Sequence, residues 1–275
     1  MKINLCFIFL FFINQQVFSQ NSDVDSSNNI PSFHDDISSL YNTGVRLLSA
    51  PSDFNKNDWI TFGSVTALTS AAFLIDKENR EFWQRNRTKT LDDISEVGRL
   101  YGEISYAAIL SGSLYLGGKM FKDKEVTVTG RMLLEGLLYA GLTTTVIKFV
   151  TGRSRPYTNE GEFQFSFFQT TNDHSSFPSG HSTVAFTLSS ILSDRINNTY
   201  ASIGLYSLAA LTIWQRMYSD SHWLSDVILG ASIGYFIGKA VVKFDDDSKS
   251  NANGNPEAAT FNSQRITIFN LSLSF

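Results

Sequence analysis

Three short stretches hold residue types that can bind an anion or carry a proton. In the first, Lys148-Phe-Val-Thr-Gly-Arg153-Ser-Arg155-Pro156, three cations fall within a few residues at the end of an apolar run. Guanidinium groups fork onto oxyanions through paired N–H donors, and an ammonium adds a point charge. Basic groups also suit a helix C-terminus, so taken alone the cluster fits either an oxyanion site or simple dipole complementation. In the second, Phe177-Pro178-Ser179-Gly180-His181-Ser182, apolar periodicity resumes at Val184, Phe186 and Leu188, so the cluster opens a helix. Unpaired N–H groups at such a start attract anions, Gly180 admits a ligand close to the backbone, and Ser179 and Ser182 can cap or donate. His181 there is either a proton carrier or an ordinary first-turn residue. The third, Arg216-Met-Tyr-Ser-Asp-Ser-His222-Trp-Leu-Ser-Asp226, sets His222 and Asp226 four apart, on one face if both are helical. A carboxylate that fixes one imidazole nitrogen frees the other to attack. A buried His–Asp pair without chemistry has the same spacing.

Helices must position these clusters. Six apolar stretches, about Trp59–Ile75, Ile104–Gly118, Met132–Val150, Thr183–Leu192, Tyr200–Trp214 and Leu224–Val242, are each laced with Gly, Ser, Thr or Ala. Small residues of that kind let helices approach closely in membranes. Charges interrupt several, including Glu135, Lys148 and Asp226, and some are short for a full crossing. The expectation is an all-α bundle of about six apolar helices spanning residues 58–244. A polar leader over 20–57 carries a short amphipathic helix near Ile37–Leu48. The charged segment from Asp76 to Glu96 reads as a solvated helical excursion, and the 151–180 connection is long enough to be a functional loop. Residues 245–275 read as a flexible tail ending in a strand-like alternation from Arg265 to Phe275.

The chain has 275 residues, 22 Lys+Arg against 26 Asp+Glu, and 43% apolar residues. That balance lacks the basic footprint of a nucleic-acid binder and excludes wholesale disorder. Residues 1–19 show a positive start, a short apolar core, and Val17 and Ser19 before Gln20, the pattern of a cleaved export signal. Cys6, the one cysteine, lies inside that segment, so the mature chain would have no disulfide, thiolate metal site or cysteine nucleophile. The four histidines, His34, His174, His181 and His222, show no metal-ligand spacing.

Together and in this order, the three clusters resemble the signature motifs of the type 2 phosphatidic acid phosphatase and vanadium haloperoxidase superfamily. The similarity covers roughly residues 126–240 and departs at Gln215, where the family usually has Ser or Ala before the arginine. The resemblance implies that His222 is the nucleophile, Asp226 its orienting partner and His181 the general acid and base. It also implies that Lys148, Arg155, Ser179, Gly180 and Arg216 hold the phosphate, with no metal and no cofactor. Six-helix members act on lipid phosphates at a membrane, among them phosphatidate, phosphatidylglycerol phosphate, undecaprenyl diphosphate and lipid A phosphates, and no obligate protein partner is evident. Exported soluble members are broad acid phosphatases, and a haloperoxidase would use the same cage for vanadate. A non-catalytic envelope protein is a further alternative, argued against by the intact set of expected catalytic residues. The expected location is the cell envelope, membrane-embedded or membrane-associated, with a periplasm-facing site. A cleaved leader followed by six crossings would instead turn that site to the cytoplasm.

Overall fold

The computed structural model describes residues 30–169 and 171–252. The expected leader at 1–19 and the strand-like segment at 265–275 lie outside the described residues. The protein is all-α, with nine α-helices among the described residues and a lone antiparallel bridge between Arg153 and Phe165. They are α1 (Phe33–Ser49), α2 (Lys56–Phe73), α3 (Asp76–Arg85), α4 (Lys89–Tyr101), α5 (Ile104–Phe121), α6 (Lys124–Thr151), α7 (Gly180–Ile196), α8 (Thr199–Tyr218) and α9 (Leu224–Ala252). The six apolar stretches correspond to α2 and α5 to α9. The other three helices are the amphipathic α1 and two from the charged segment.

Local sequence sets the boundaries. Ser32 and Asp35 form a reciprocal capping box on α1, and Asn55 and Asp58 form another on α2. Lys122 and Asn197 take the left-handed conformation that ends α5 and α7, and the next residues, Asp123 and Asn198, cap α6 and α8. Turns this short force α5/α6 and α7/α8 to run antiparallel. The last helix continues past Phe244, where the sequence turns polar, to Ala252.

The core joins Ala107 of α5, Val128, Met132 and Leu133 of α6, Leu188 and Ile191 of α7, and Val241 of α9. Small residues set the α7–α9 distance. A Cβ at Gly230 would run into the backbone of Ser179, one at Gly234 into the backbone of Thr183, and one at Gly238 into the Ser190 side chain. Glycine every fourth residue is thus what lets the two backbones touch. Their first turns carry Asp226 and His181.

Side-chain ion pairs mark one end of the bundle. There, Arg195 at the end of α7 pairs with Glu125 at the start of α6, Lys119 of α5 pairs with Asp36 of α1 (2.7 Å), and Arg46 of α1 pairs with Asp247 of α9 (2.6 Å). The three signature clusters gather at the other end, so α1 and the end of α9 lie on the face away from them.

Much of the flank is apolar yet uncovered. Trp59 and Phe62 on α2, Leu116 and Met120 on α5, and Leu142 and Val146 on α6 are all exposed, with Met120 at 72%. Exposed apolar area on this scale marks a surface that water does not normally bathe. By length and composition α6 and α9 can each cross a membrane, and the bent pair α2–α3 would form a third span.

One expectation needs correcting. The segment from Asp76 is not a solvated excursion throughout. Asp76 is 1% exposed, and Arg80 on the next turn of α3 donates to both carboxylate oxygens of Asp220 at 2.6 and 2.7 Å. Charge density along the chain reports how polar a helix is, but not which of its charges finds a buried partner.

Candidate functional site

Each cluster occupies a helix end. Lys148 lies in the last turn of α6, which stops at Gly152 with φ +55. That conformation favours glycine, and a Cβ there would strike the backbone of Ser166 as well. The chain then turns through Arg153 and Arg155 into the connection that precedes α7. Ser179 caps α7, its Oγ accepting from the Ser182 N–H (3.5 Å) and the Ser182 hydroxyl (3.1 Å). Its own N–H donates to the Asp226 carbonyl (2.9 Å), tying the start of α7 to the start of α9. A Cβ on Gly180 would meet only Lys148 Cε, at 4.0 Å, so the backbone is open on the side facing that lysine.

His222 is not helical, contrary to the shared-face expectation. It sits in the turn between α8 and α9, where the N–H groups of Ser221 and His222 both donate to the Arg216 carbonyl (3.1 and 3.2 Å). Asp226 is in the first turn of α9, and its Oδ2 accepts from the Trp223 N–H (2.8 Å), half of a capping box. The turn thereby brings His222 Nδ1 to 3.5 Å from Asp226 Oδ2. The ring is 3% exposed. Nδ1 faces the carboxylate, without a hydrogen bond closing between them.

Asp226 is the hub of a buried network. Besides Trp223 N–H, its Oδ2 accepts from the Ser176 hydroxyl (2.5 Å), and its Oδ1 accepts from Arg153 Nη1 (2.6 Å). Arg153 is fully buried, and each of its N–H donors has a partner. Nη1 also donates to Ser225 Oγ (2.6 Å), Nη2 to Asp76 Oδ2 (2.8 Å), and Nε and Nη2 to the Glu162 carbonyl (3.0 and 2.6 Å). Its guanidinium lies 4.1 Å from the Phe73 ring centroid. Saturated in this way, Arg153 is no ligand for a substrate. It is the counter-ion that permits Asp226 to stay charged without water. Asp76 completes the network by accepting from the Ser225 N–H (2.9 Å) and hydroxyl (2.5 Å).

The remaining cations stand in front of His222. Lys148 Nζ donates to the Ser175 carbonyl and, at 3.4 Å, to that of Ser176. Arg155 Nε donates to the Asn172 carbonyl (2.9 Å), and its Nη1 reaches the Ser221 carbonyl (3.5 Å), next to His222. Arg216 is 8% exposed; its Nη1 donates to Gln215 Oε1 (3.3 Å), and its Nε has no hydrogen-bond partner among the described residues. Arg216 is thus a buried cationic donor with capacity to spare, which is what an oxyanion requires.

Burial holds the His222 imidazole well below the ordinary histidine range; Asp226 opposes this, and Lys148, Arg155 and Arg216 reinforce it. The ring is therefore neutral, which is its nucleophilic form. His181, in the first turn of α7, is pushed down to about 4 by burial and next by Arg216, with Glu103 pulling the other way. His181 Nε2 stands 3.3 Å from Glu103 Oε2.

All eight sequence-predicted site residues, Lys148, Arg155, Ser179, Gly180, His181, Arg216, His222 and Asp226, lie at this end of the bundle. His174 does not join them; it pairs at 3.5 Å with Glu160 in the half-exposed connection. Sequence reasoning missed the buried role of Arg153 and missed Asp76, Ser176, Ser225 and Glu103 entirely. Only Arg153 had a signal, as the first arginine of the Gly-Arg-Ser-Arg-Pro run.

Residues 130–250 match the PAP2 superfamily. A lipid A 1-phosphatase of Porphyromonas gingivalis is 26% identical over 152 residues, covering 54% of this chain and 29% of that protein. A lipid A 4'-phosphatase of the same organism is 26% identical over 118 residues, 42% of this chain and 50% of its own length. One lipid A 1-phosphatase, from Rhizobium johnstonii, is 31% identical over 117 residues, 40% of this chain and 45% of that protein. The chain thus spans half or less of these three relatives. The crystal structure of Aquifex aeolicus LpxE aligns with a TM-score of 0.48 at 21% identity, covering 62% of this chain and 95% of that one.

Proposed function

We propose that this chain, whose residues 130–250 carry a PAP2 superfamily domain, is a membrane-embedded lipid-phosphate phosphatase that works through a phosphohistidine. The observation that carries the proposal is a neutral, buried His222 backed by Asp226 and faced by Lys148, Arg155 and Arg216. The site offers a nucleophile and three positive charges at one end of the bundle.

The geometry supports the following steps. Arg155, Arg216 and Lys148, with Ser179 and the first N–H groups of α7, take the non-bridging phosphate oxygens, where charge builds in the transition state. His222 Nε2 attacks phosphorus; the P–N bond forms as the P–O ester bond breaks. The Nδ1 proton is shared with Asp226, whose charge offsets the imidazolium character that develops. His181 gives its proton to the departing alkoxide. Water then attacks phosphorus, His181 takes a proton from it, the P–N bond breaks, and inorganic phosphate leaves.

Lipid is favoured over a soluble ester by the uncovered apolar flank and by the two membrane-length helices. Among lipid phosphates, the curated relatives are lipid A phosphatases, so phosphorylated lipid A is the first substrate to test, with phosphatidate, phosphatidylglycerol phosphate and undecaprenyl diphosphate beside it. We place the catalytic end on the periplasmic face, which sets α1 and the end of α9 toward the cytoplasm. Phosphate release from detergent-dispersed lipid A and phosphatidate, by the wild type and by His222→Ala, tests the proposal. Loss of at least about 10³-fold in the variant is expected. Release unaltered by the substitution, or none by the wild type from any of these lipids, would overturn it.

A further inference from the structure

Glu103 lies outside all three signature clusters, yet its carboxylate is the acidic group on the His181 ring, with Oε2 3.3 Å from Nε2. The approach is built into the backbone. Gly102 closes α4, its N–H donating to the Gly98 carbonyl at 3.3 Å, and Glu103 caps α5. A Cβ at Gly102 would meet Thr212 Cγ2 at 2.6 Å, the His181 carbonyl at 2.9 Å and His181 Cβ at 3.0 Å. A residue without a side chain is therefore what presses the α4–α5 turn onto the first turn of α7. Behind Glu103, Arg99 stands with Nη1 3.9 Å from Oε2, while its Nη2 is engaged by Glu96 at 2.6 Å.

Resting on the phosphatase reading above, we infer that Glu103 is the positioning carboxylate of the acid–base histidine, so that the site holds two His–carboxylate pairs: His222–Asp226 to attack and Glu103–His181 to carry the proton. Nε2 of His181 is held by Glu103, and Nδ1 is left to face the leaving oxygen. In the first step the P–O bond breaks and the His181 proton moves to the alkoxide. In the second, water loses a proton to His181 as its oxygen bonds to phosphorus and the P–N bond breaks, which returns the acid form.

Glu103 matters because every other charge near His181 works against the imidazolium. Arg216 of α8 and Arg155 of the 152–179 connection both disfavour it, Arg99 of α4 acts on Arg216, and Lys148 of α6 lies against the neighbouring Gly180. Among the described residues named as acting on the ring, Glu103 alone favours it. A bound phosphate dianion cancels Arg216 and Arg155, so proton uptake by His181 is linked to substrate binding, with Glu103 fixing where that proton sits.

The test varies the leaving group. Dodecyl phosphate expels an alkoxide that must be protonated, whereas a nitrophenyl phosphate with a dodecyl chain expels a stable phenolate. Glu103→Gln is expected to lower kcat/KM for the alkyl ester by about 10²-fold and for the nitroaryl ester by less than about threefold. For the alkyl ester its alkaline limb moves to lower pH, and Glu103→Asp restores most of the rate. Equal loss on both esters, or no loss on the alkyl ester, overturns the role of Glu103. Should the wild type accept only the alkyl ester, an unmoved pH profile in Glu103→Gln overturns it as well. A wild type that hydrolyses neither ester nor any lipid phosphate sinks the phosphatase reading itself, and is told apart by that silence.

Discussion

Replacing Arg153 by Met removes the cation that bridges Asp226 and Asp76, both fully buried with side chains at 0% exposure. At 2.8 Å and an effective dielectric of about 20, the Arg153–Asp76 pair alone attracts by about 6 kcal/mol before desolvation is subtracted. The measured net effect of stranding a buried charge is smaller, about 3–5 kcal/mol. Spread over a domain of this size, that lowers the thermal midpoint by roughly 6–20 °C. Asp76→Leu should also destabilise, since Arg153 and both Ser225 donors lose an acceptor. The double variant tells whether the reasoning holds. With Asp76 gone, one of the two carboxylates stranded by Arg153→Met no longer exists, so the double variant should be more stable than the sum of the single losses by about 1–3 kcal/mol. The assay is thermal unfolding in detergent micelles of the wild type, both single variants and the double variant. Strict additivity, within about 0.5 kcal/mol, would mean that Arg153 and Asp76 do not act as a pair.

Other outcomes follow from the same structure. Gly234→Val drives a branched side chain into the Thr183 backbone, and should cost about 1–3 kcal/mol and depress kcat by parting His181 from Asp226; wild-type stability in that variant would refute the close-contact account of α7 and α9. Arg216→Ala should weaken inhibition by orthovanadate, a transition-state mimic of the phosphoryl group, by about 10²-fold or more, read from the shift in Ki. Because burial holds His222 well below the ordinary histidine range, the nucleophile stays neutral as pH falls; kcat/KM should survive to below pH 6 and drop on the acid side only once that depressed pKa is crossed, and an acid limb centred near 6.5 would contradict it. Exhaustive treatment with EDTA should leave phosphate release unchanged, and restoration of a lost rate by a divalent cation would contradict the metal-free scheme.

The cations and histidines of the candidate site were legible because each cluster is local, with its spacing written within a dozen residues. The six apolar helices were legible for the same reason, as periodicity is a short-range signal. The partners were not. Asp76 lies 77 positions from Arg153, and Ser176 lies 50 from Asp226. Nothing in the run from Leu74 to Lys77 tells a buried acid from a solvated one. Glu103 was hidden differently, since its contact with His181 depends on Gly102 admitting the α7 backbone, a steric fact with no signature in residue type. The His222–Asp226 pair was found for a reason only partly right. The i, i+4 spacing suggested one helix, whereas the meeting depends on a turn closed by the Arg216 carbonyl and on the first residues of α9.

The Arg153 network also bears on how the molecule could be divided. One of its carboxylates comes from the start of α3 and the other from α9, with the guanidinium between them at the end of α6. A fragment cut to residues 130–250 would keep all three signature clusters and lose Asp76 and Glu103. Such a piece would carry all three clusters with one buried cation short of an acceptor and His181 without its carboxylate neighbour. The folded unit around the candidate site is therefore larger than the stretch by which it is recognised, and minimal versions of this protein should begin no later than α2.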